Sequence, residues 1–166
     1  MSVSALILRS YLAPRSVMRF HLDRGIREER SLGFLALACV LIFIGQWPRL
    51  ARAAHLDPEI PLDARIVGAL LAVVFVLPLI CYGVALLSQL VARLFGRPVS
   101  GGAARLALFW ALLAVSPLML LHGALAGFAG PGGITLLAGA GVLCAFAIIW
   151  GAGLREAALE PPATTA

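Results

Sequence analysis

The chain has 166 residues, enough for one domain, but 61% of them are hydrophobic and the mean hydropathy is +0.99. Soluble domains contain roughly 45–50% apolar residues, so the composition predicts an integral membrane protein. The net charge of +5 does not indicate nucleic-acid binding, because the basic residues lie between apolar blocks, where arginines set membrane topology.

Residues 1–30 form a basic arm that precedes the first long apolar block. Met18, Leu22 and Ile26 recur at every fourth position, and a second stripe of the same spacing holds Arg15, Arg19, Asp23 and Arg27. This pattern predicts an amphipathic helix that lies on an anionic membrane face or packs on the cytoplasmic end of the helices. The alternative is a solvated basic arm without a fixed place.

Four apolar blocks follow and predict four transmembrane helices, at about residues 31–47, 65–94, 103–128 and 134–154. We expect the first to end at Trp47 and Pro48 as an uncleaved anchor, although Ala51-Arg52-Ala53 resembles a signal-peptide cleavage site. Residues 48–63 are predicted to be a loop with one interfacial turn at 50–55, and 155–166 a polar tail. The fold class is an all-α membrane bundle, with a fifth span or a re-entrant segment left open.

Arginine counts predict the orientation of these spans. An even number of spans places both termini on one side, and ten of the 13 arginines lie on that side: Arg9, Arg15, Arg19, Arg24, Arg27, Arg30, Arg93, Arg97, Arg105 and Arg155. By the positive-inside rule both termini are cytoplasmic. Every basic residue is arginine, from which we infer a GC-rich bacterial genome and therefore a multi-pass protein of the bacterial inner membrane.

The second and third spans form a central hairpin, residues 64–128, around a short basic turn at 96–102. Each arm carries one internal proline, Pro78 and Pro117, at similar distances from the turn. Proline removes a helix hydrogen bond, so we expect two helix kinks that face one another at the same depth.

The distribution of polar residues excludes several kinds of chemistry. All eight acidic residues lie outside the apolar blocks, so neither a proton relay nor a paired-carboxylate hydrolase can be assembled in the membrane core. The cysteines, Cys39, Cys81 and Cys144, lie in three different blocks without CxxC spacing. We therefore expect no catalytic, cofactor-binding or metal-binding residues.

The candidate intramembrane polar site consists of His122 and Ser116. An imidazole within a span suggests gating or ligand binding, because ionisable groups in membranes are costly. The structural alternative is a neutral histidine that bonds a backbone carbonyl freed by Pro117. The Ser116 hydroxyl is expected to bond its own helix, since no nucleophile motif surrounds it.

Small residues predict close helix packing in the third and fourth spans. Gly123 and Gly127 form a GxxxG motif, and the fourth span carries Gly141 and Gly151, each four residues from an alanine. We expect these residues to join the third and fourth spans within one chain, while the homo-oligomeric state stays open.

Three short stretches give a resemblance to a known family: residues 14–18 (PRSVM), 46–52 (QWPRLAR) and 104–110 (ARLALFW). With the order of the apolar blocks, they resemble the small bacterial members of the YIP1 family. The resemblance implies a helical membrane protein, usually described with about five spans. Eukaryotic members serve in vesicle trafficking with small GTPases, whereas bacterial members have no settled biochemical role and supply no functional residues to transfer.

Together these features predict a non-enzymatic protein that acts as a membrane scaffold or accessory subunit through helix packing. Its expected partners are membrane lipids and other membrane proteins, with no nucleic acid. The alternative is a small permease or lipid-handling channel that flexes at Pro78 and Pro117. A permease requires a continuous polar cavity near His122 and Ser116.

Overall fold

The computed structural model describes residues 2–159, and all regular elements in this range are helical. They are α1 (Val3–Leu12), α2 (Pro14–Asp23), α3 (Glu28–Leu56), α4 (Leu62–Leu71), a π-helical segment (Ala72–Val76), α5 (Leu77–Leu94), α6 (Gly101–Ala129) and α7 (Gly133–Ala157). The segments α4, π and α5 are continuous and form one helix, Leu62–Leu94.

Four of these helices are long and apolar enough to cross a membrane, which confirms the predicted all-α bundle with four spans. They are Glu28–Leu56, Leu62–Leu94, Gly101–Ala129 and Gly133–Ala157. The shortest has 25 residues. At about 1.5 Å per residue, even this helix exceeds an apolar layer about 30 Å thick. Of the predicted polar tail, residues 160–166 lie outside the described part of the chain.

The first span is longer than the sequence predicted. Helix α3 does not end at Trp47 and Pro48 but continues to Leu56, so most of the predicted loop at 48–63 is helical. Pro48 leaves the carbonyl of Ile44 without its usual donor. The Pro48 ring lies against Gly127 of α6, where a Cβ atom would be only 2.4 Å from the proline Cβ. This close packing against α6 accommodates the proline inside the helix.

Helix α6 is the centre of the bundle. Its residues from Ala103 to Ser116 are almost all buried, whereas α5 and α7 expose long apolar faces. The most extensive helix pair is α3 with α6, which run parallel, rather than the predicted central hairpin of α5 with α6. The packing nucleus is therefore formed by the first and third spans.

The glycine motif explains why α3 and α6 approach so closely. A Cβ atom at Gly123 would lie 1.8 Å from the carbonyl oxygen of Gly45, and Gly127 meets Pro48. The prediction that Gly123 and Gly127 join α6 to α7 is wrong, because both face α3. Helix α7 does pack on α6, but nothing lies within 4 Å of a Cβ built at Gly141 or Gly151. Neither residue is in close contact with another helix, although Gly151 is half-buried beside the turn between α1 and α2.

The two residues predicted to kink their helices, Pro78 and Pro117, lie in α5 and α6. Pro78 follows the π-helical segment, in which the Leu77 N–H bonds to the carbonyl of Ala72, and this wider turn precedes the proline. Pro78 lines a groove whose opposite wall is α3, with Cys39 and Phe43. Pro117 lies within α6.

The N-terminal arm is fixed on the bundle and contains two helices, because Pro14 begins a new helix. The apolar stripe predicted for this arm is largely buried, with Met18 and Leu22 below 7% exposure and Ile26 at 39%. The arm also extends along α6, since the Ser10 hydroxyl of α1 accepts a 3.0 Å hydrogen bond from Nε1 of Trp110. Trp110 lies about 13 Å along α6 from its first residue, so the N-terminal arm, α1 and α2, packs along the side of the bundle.

Candidate functional site

A cavity of about 460 Å³ surrounds His122, the polar residue that the sequence singled out. It lies between α3, α6 and α7, towards the ends of α3 and α6 that hold Leu56 and Ala129. Three polar side chains line it, from Gln46, Arg49 and His122, and the remaining lining is mostly aliphatic or aromatic, including Met119 and Phe146. The cavity is thus an apolar chamber with three polar groups.

His122 is held by α7 rather than by its own helix. Its Nε2 atom lies 3.2 Å from the carbonyl oxygen of Thr135, so this nitrogen carries the proton and donates. Gly139 provides the space, since a Cβ atom there would come within 3.1 Å of the same nitrogen. The expected bond to a backbone carbonyl is present, but the carbonyl belongs to α7 and is not one that Pro117 frees.

Ser116 does not share this cavity. Its side chain is fully buried, and its hydroxyl donates a 2.8 Å hydrogen bond to the carbonyl of Leu113, as predicted for a serine that bonds its own helix. His122 and Ser116 therefore do not form one polar site.

Sequence reasoning missed the two α3 side chains of the cavity, Gln46 and Arg49. The Arg49 guanidinium donates a 3.2 Å hydrogen bond to Oε1 of Gln46 one turn earlier on the same helix. Their spacing of three residues is a helical signal, but it is visible only if α3 continues beyond Trp47. Arg52, one turn later, donates to the carbonyls of Gly127 and Phe128 at the end of α6.

His21, on α2 of the N-terminal arm, is a buried histidine that the sequence did not single out. The His21 ring is 3% exposed and packs 4.3 Å from the Trp110 ring and 5.3 Å from that of Phe34, measured between centroids. Burial, together with the nearby guanidinium groups of Arg30 and Arg24, lowers the pKa of His21 to about 4. His21 is therefore neutral at pH 7.

Two of the acidic side chains, Glu28 and Glu156, form ion pairs between the ends of different helices, consistent with their place outside the apolar blocks. Glu28 bonds Arg105 of α6 at 2.8 Å and accepts a 3.2 Å hydrogen bond from Tyr82 of α5. Glu156, at the end of α7, bonds Arg19 of α2 at 2.7 Å. Within residues 2–159, no group of three or more His, Cys, Asp or Glu side chains is placed to hold a metal ion.

Comparison with known proteins gives no match: no family model fits the chain, and no curated protein or solved structure is detectably similar to it. The resemblance to the YIP1 family therefore stays a prediction that rests on the order of the apolar blocks and the three short stretches.

Proposed function

We propose that this membrane protein is a non-enzymatic scaffold or accessory subunit that binds other membrane proteins through its exposed helix faces. The observation that carries the proposal is the small-residue face of α7. Ala140, Gly141, Cys144 and Ala147 are exposed, and a Cβ atom at Gly141 or Gly151 would meet nothing within 4 Å. Small residues in membrane helices allow a neighbouring backbone to approach closely. At Gly141 the described chain supplies no such neighbour, whereas Gly151 lies beside the turn between α1 and α2.

The proposal includes the orientation and the family suggested by the sequence. We place the protein in the bacterial inner membrane with both termini cytoplasmic, because ten of 13 arginines lie at that end. The assignment to the YIP1 family is part of the same proposal and rests on the three short stretches and the order of the apolar blocks. A C-terminal reporter that is active only in the periplasm would contradict the orientation.

The geometry gives less support to a permease. Such a protein requires a polar path, whereas the chamber at His122 is mainly apolar and does not reach Ser116. Pro78 lines a separate groove against α3 and not the chamber at His122.

The test uses a photoreactive maleimide attached to Cys144 in native membranes. Cys144 is the exposed cysteine, whereas Cys39 and Cys81 are buried, so the label goes to the small-residue face. We expect light to produce one discrete protein adduct. Its yield should fall strongly in Gly141→Leu and Gly151→Leu variants, because the added side chains prevent close helix approach.

The matched control moves the label by one residue, to a cysteine at Leu143 in a Cys144→Ala background. Leu143 is 66% exposed but points about 100° away around the helix. An adduct of doubled mass would identify a second copy as the partner. Equal adduct yields from both positions, or a partner-free monomer in mild detergent, would contradict the proposal.

A further inference from the structure

A second cavity, larger than the chamber at His122, lies at the arginine-rich end of the bundle. It is a groove of about 750 Å³ between α5 and α7, which both pack on α6 but leave space between them. Its size falls in the range of small-molecule sites. We call it the α5–α7 groove.

The groove has a charged mouth and an apolar interior. Arg97, in the turn after α5, and Arg155, in the last turns of α7, lie at the mouth. The walls are formed by Leu87, Val91 and Leu154, together with the Trp150 ring. Within residues 2–159 neither arginine forms an ion pair, so their charges are not compensated by a described carboxylate.

We propose that the α5–α7 groove is a binding site for an anionic phospholipid. The headgroup phosphate binds Arg97 and Arg155, and the acyl chains lie along Leu87, Val91 and Leu154. Charge complementarity selects this ligand, because two guanidinium groups above an apolar slot match a phosphate above hydrocarbon. A neutral apolar molecule would not pair with either arginine, and a soluble anion would not cover the apolar walls of the groove.

The position of the groove agrees with this ligand. Arg97 and Arg155 belong to the end of the bundle that holds ten of the 13 arginines. In the proposed orientation this end faces the cytoplasmic leaflet, whose anionic lipids attract basic pockets between membrane helices. Trp150 lies about one and a half turns deeper than Arg155, within the apolar part of the groove.

The test is native mass spectrometry of the full chain in detergent, with added dioleoyl phosphatidylglycerol or dioleoyl phosphatidylcholine. We expect one phosphatidylglycerol molecule to bind, with little phosphatidylcholine adduct at the same concentration. Each arginine near an anionic lipid contributes about fivefold to binding. An Arg97→Gln/Arg155→Gln double variant should therefore bind phosphatidylglycerol about thirtyfold more weakly.

The control double variant, Arg9→Gln/Arg93→Gln, removes the same charge from two exposed arginines that do not line the groove. It should retain binding, and equal loss in both double variants would show that net charge rather than the groove attracts the lipid. A Val91→Trp variant keeps both arginines but fills the slot, and it should also lose the lipid.

Three results would overturn the proposal: equal binding of the two lipids, unchanged binding in Val91→Trp, or a protein dimer without lipid in which a second copy fills the groove. The assay takes place in detergent, so its outcome does not depend on the proposed membrane orientation or on the scaffold function.

Discussion

Adding one methyl group at Gly123 should separate the two central helices. In Gly123→Ala the new Cβ atom would lie 1.8 Å from the carbonyl oxygen of Gly45, and its other near neighbours, at 2.7 and 3.3 Å, are backbone atoms of the same residue. A carbon–oxygen contact requires about 3.3 Å, so the backbones must move apart by about 1.5 Å. A rotamer change cannot relieve a clash with backbone.

The cost of this separation is that of overpacking a tight interface, about 1–3 kcal/mol. For a chain of this size each kcal/mol lowers the melting temperature by about 2–4 °C. Gly141→Ala is the matched control, because it adds the same methyl group to a membrane helix where nothing lies within 4 Å. Any gain in helix propensity is common to both variants. Only the contact with α3 therefore distinguishes them.

The other glycines of the interface should give a graded series in thermal unfolding, followed by tryptophan fluorescence in detergent. Gly127→Ala meets Pro48 at 2.4 Å and should be nearly as harmful as Gly123→Ala, whereas Gly45→Ala meets Leu120 and Met119 at 3.3 Å and should be milder. Equal melting temperatures for Gly123→Ala and Gly141→Ala would refute the close approach of α3 and α6.

Two further predictions concern the N-terminal arm, helices α1 and α2. Ser10→Ala should weaken its attachment by about 1–3 kcal/mol, because the buried Trp110 Nε1 loses its acceptor. The exposed Ser16→Ala serves as control in the same unfolding assay, and equal effects would contradict this reason. Acidification should also weaken the packing of α1 and α2 on the bundle. The pKa of His21 is about 4 in the folded chain and about 6.5 when the side chain is free in solvent. Neutral His21 makes its full contribution to the free energy of unfolding above pH 6.5, and this contribution is lost as the pH falls towards 4. The free energy of unfolding should therefore decrease by about 2 kcal/mol between pH 7 and pH 5. A His21→Gln variant should lose less stability over this interval than the unaltered chain, and an identical pH dependence would rule out His21 as the cause.

The sequence predicted the number and the class of the helices because long apolar blocks have few alternatives in a membrane. It did not predict the end of α3, since Trp47 and Pro48 resemble an interfacial stop. Gly127 of α6, 79 positions later, offers the space against which the Pro48 ring packs. Local propensity favours a helix end there, and tertiary packing overrides it.

The same limitation applies to helix partners. A GxxxG motif indicates that one face of α6 is approached closely, but it does not name the helix that approaches it. Proximity in sequence suggested α7, while the structure places Gly45 and Pro48 of α3 on that face. The candidate site follows from this arrangement, because the chamber at His122 receives Gln46 and Arg49 only when α3 lies beside α6 and continues past Pro48.

This pairing also explains why the remaining apolar surface is available for partners. Because α3 occupies the glycine face of α6, helix α7 packs on α6 elsewhere and turns Gly141 and Gly151 outward. Helices α5 and α7 also pack on α6 and leave the α5–α7 groove between them. The proposed protein-binding face and the proposed lipid site therefore both include residues of α7, while the glycine face of α6 is occupied by α3.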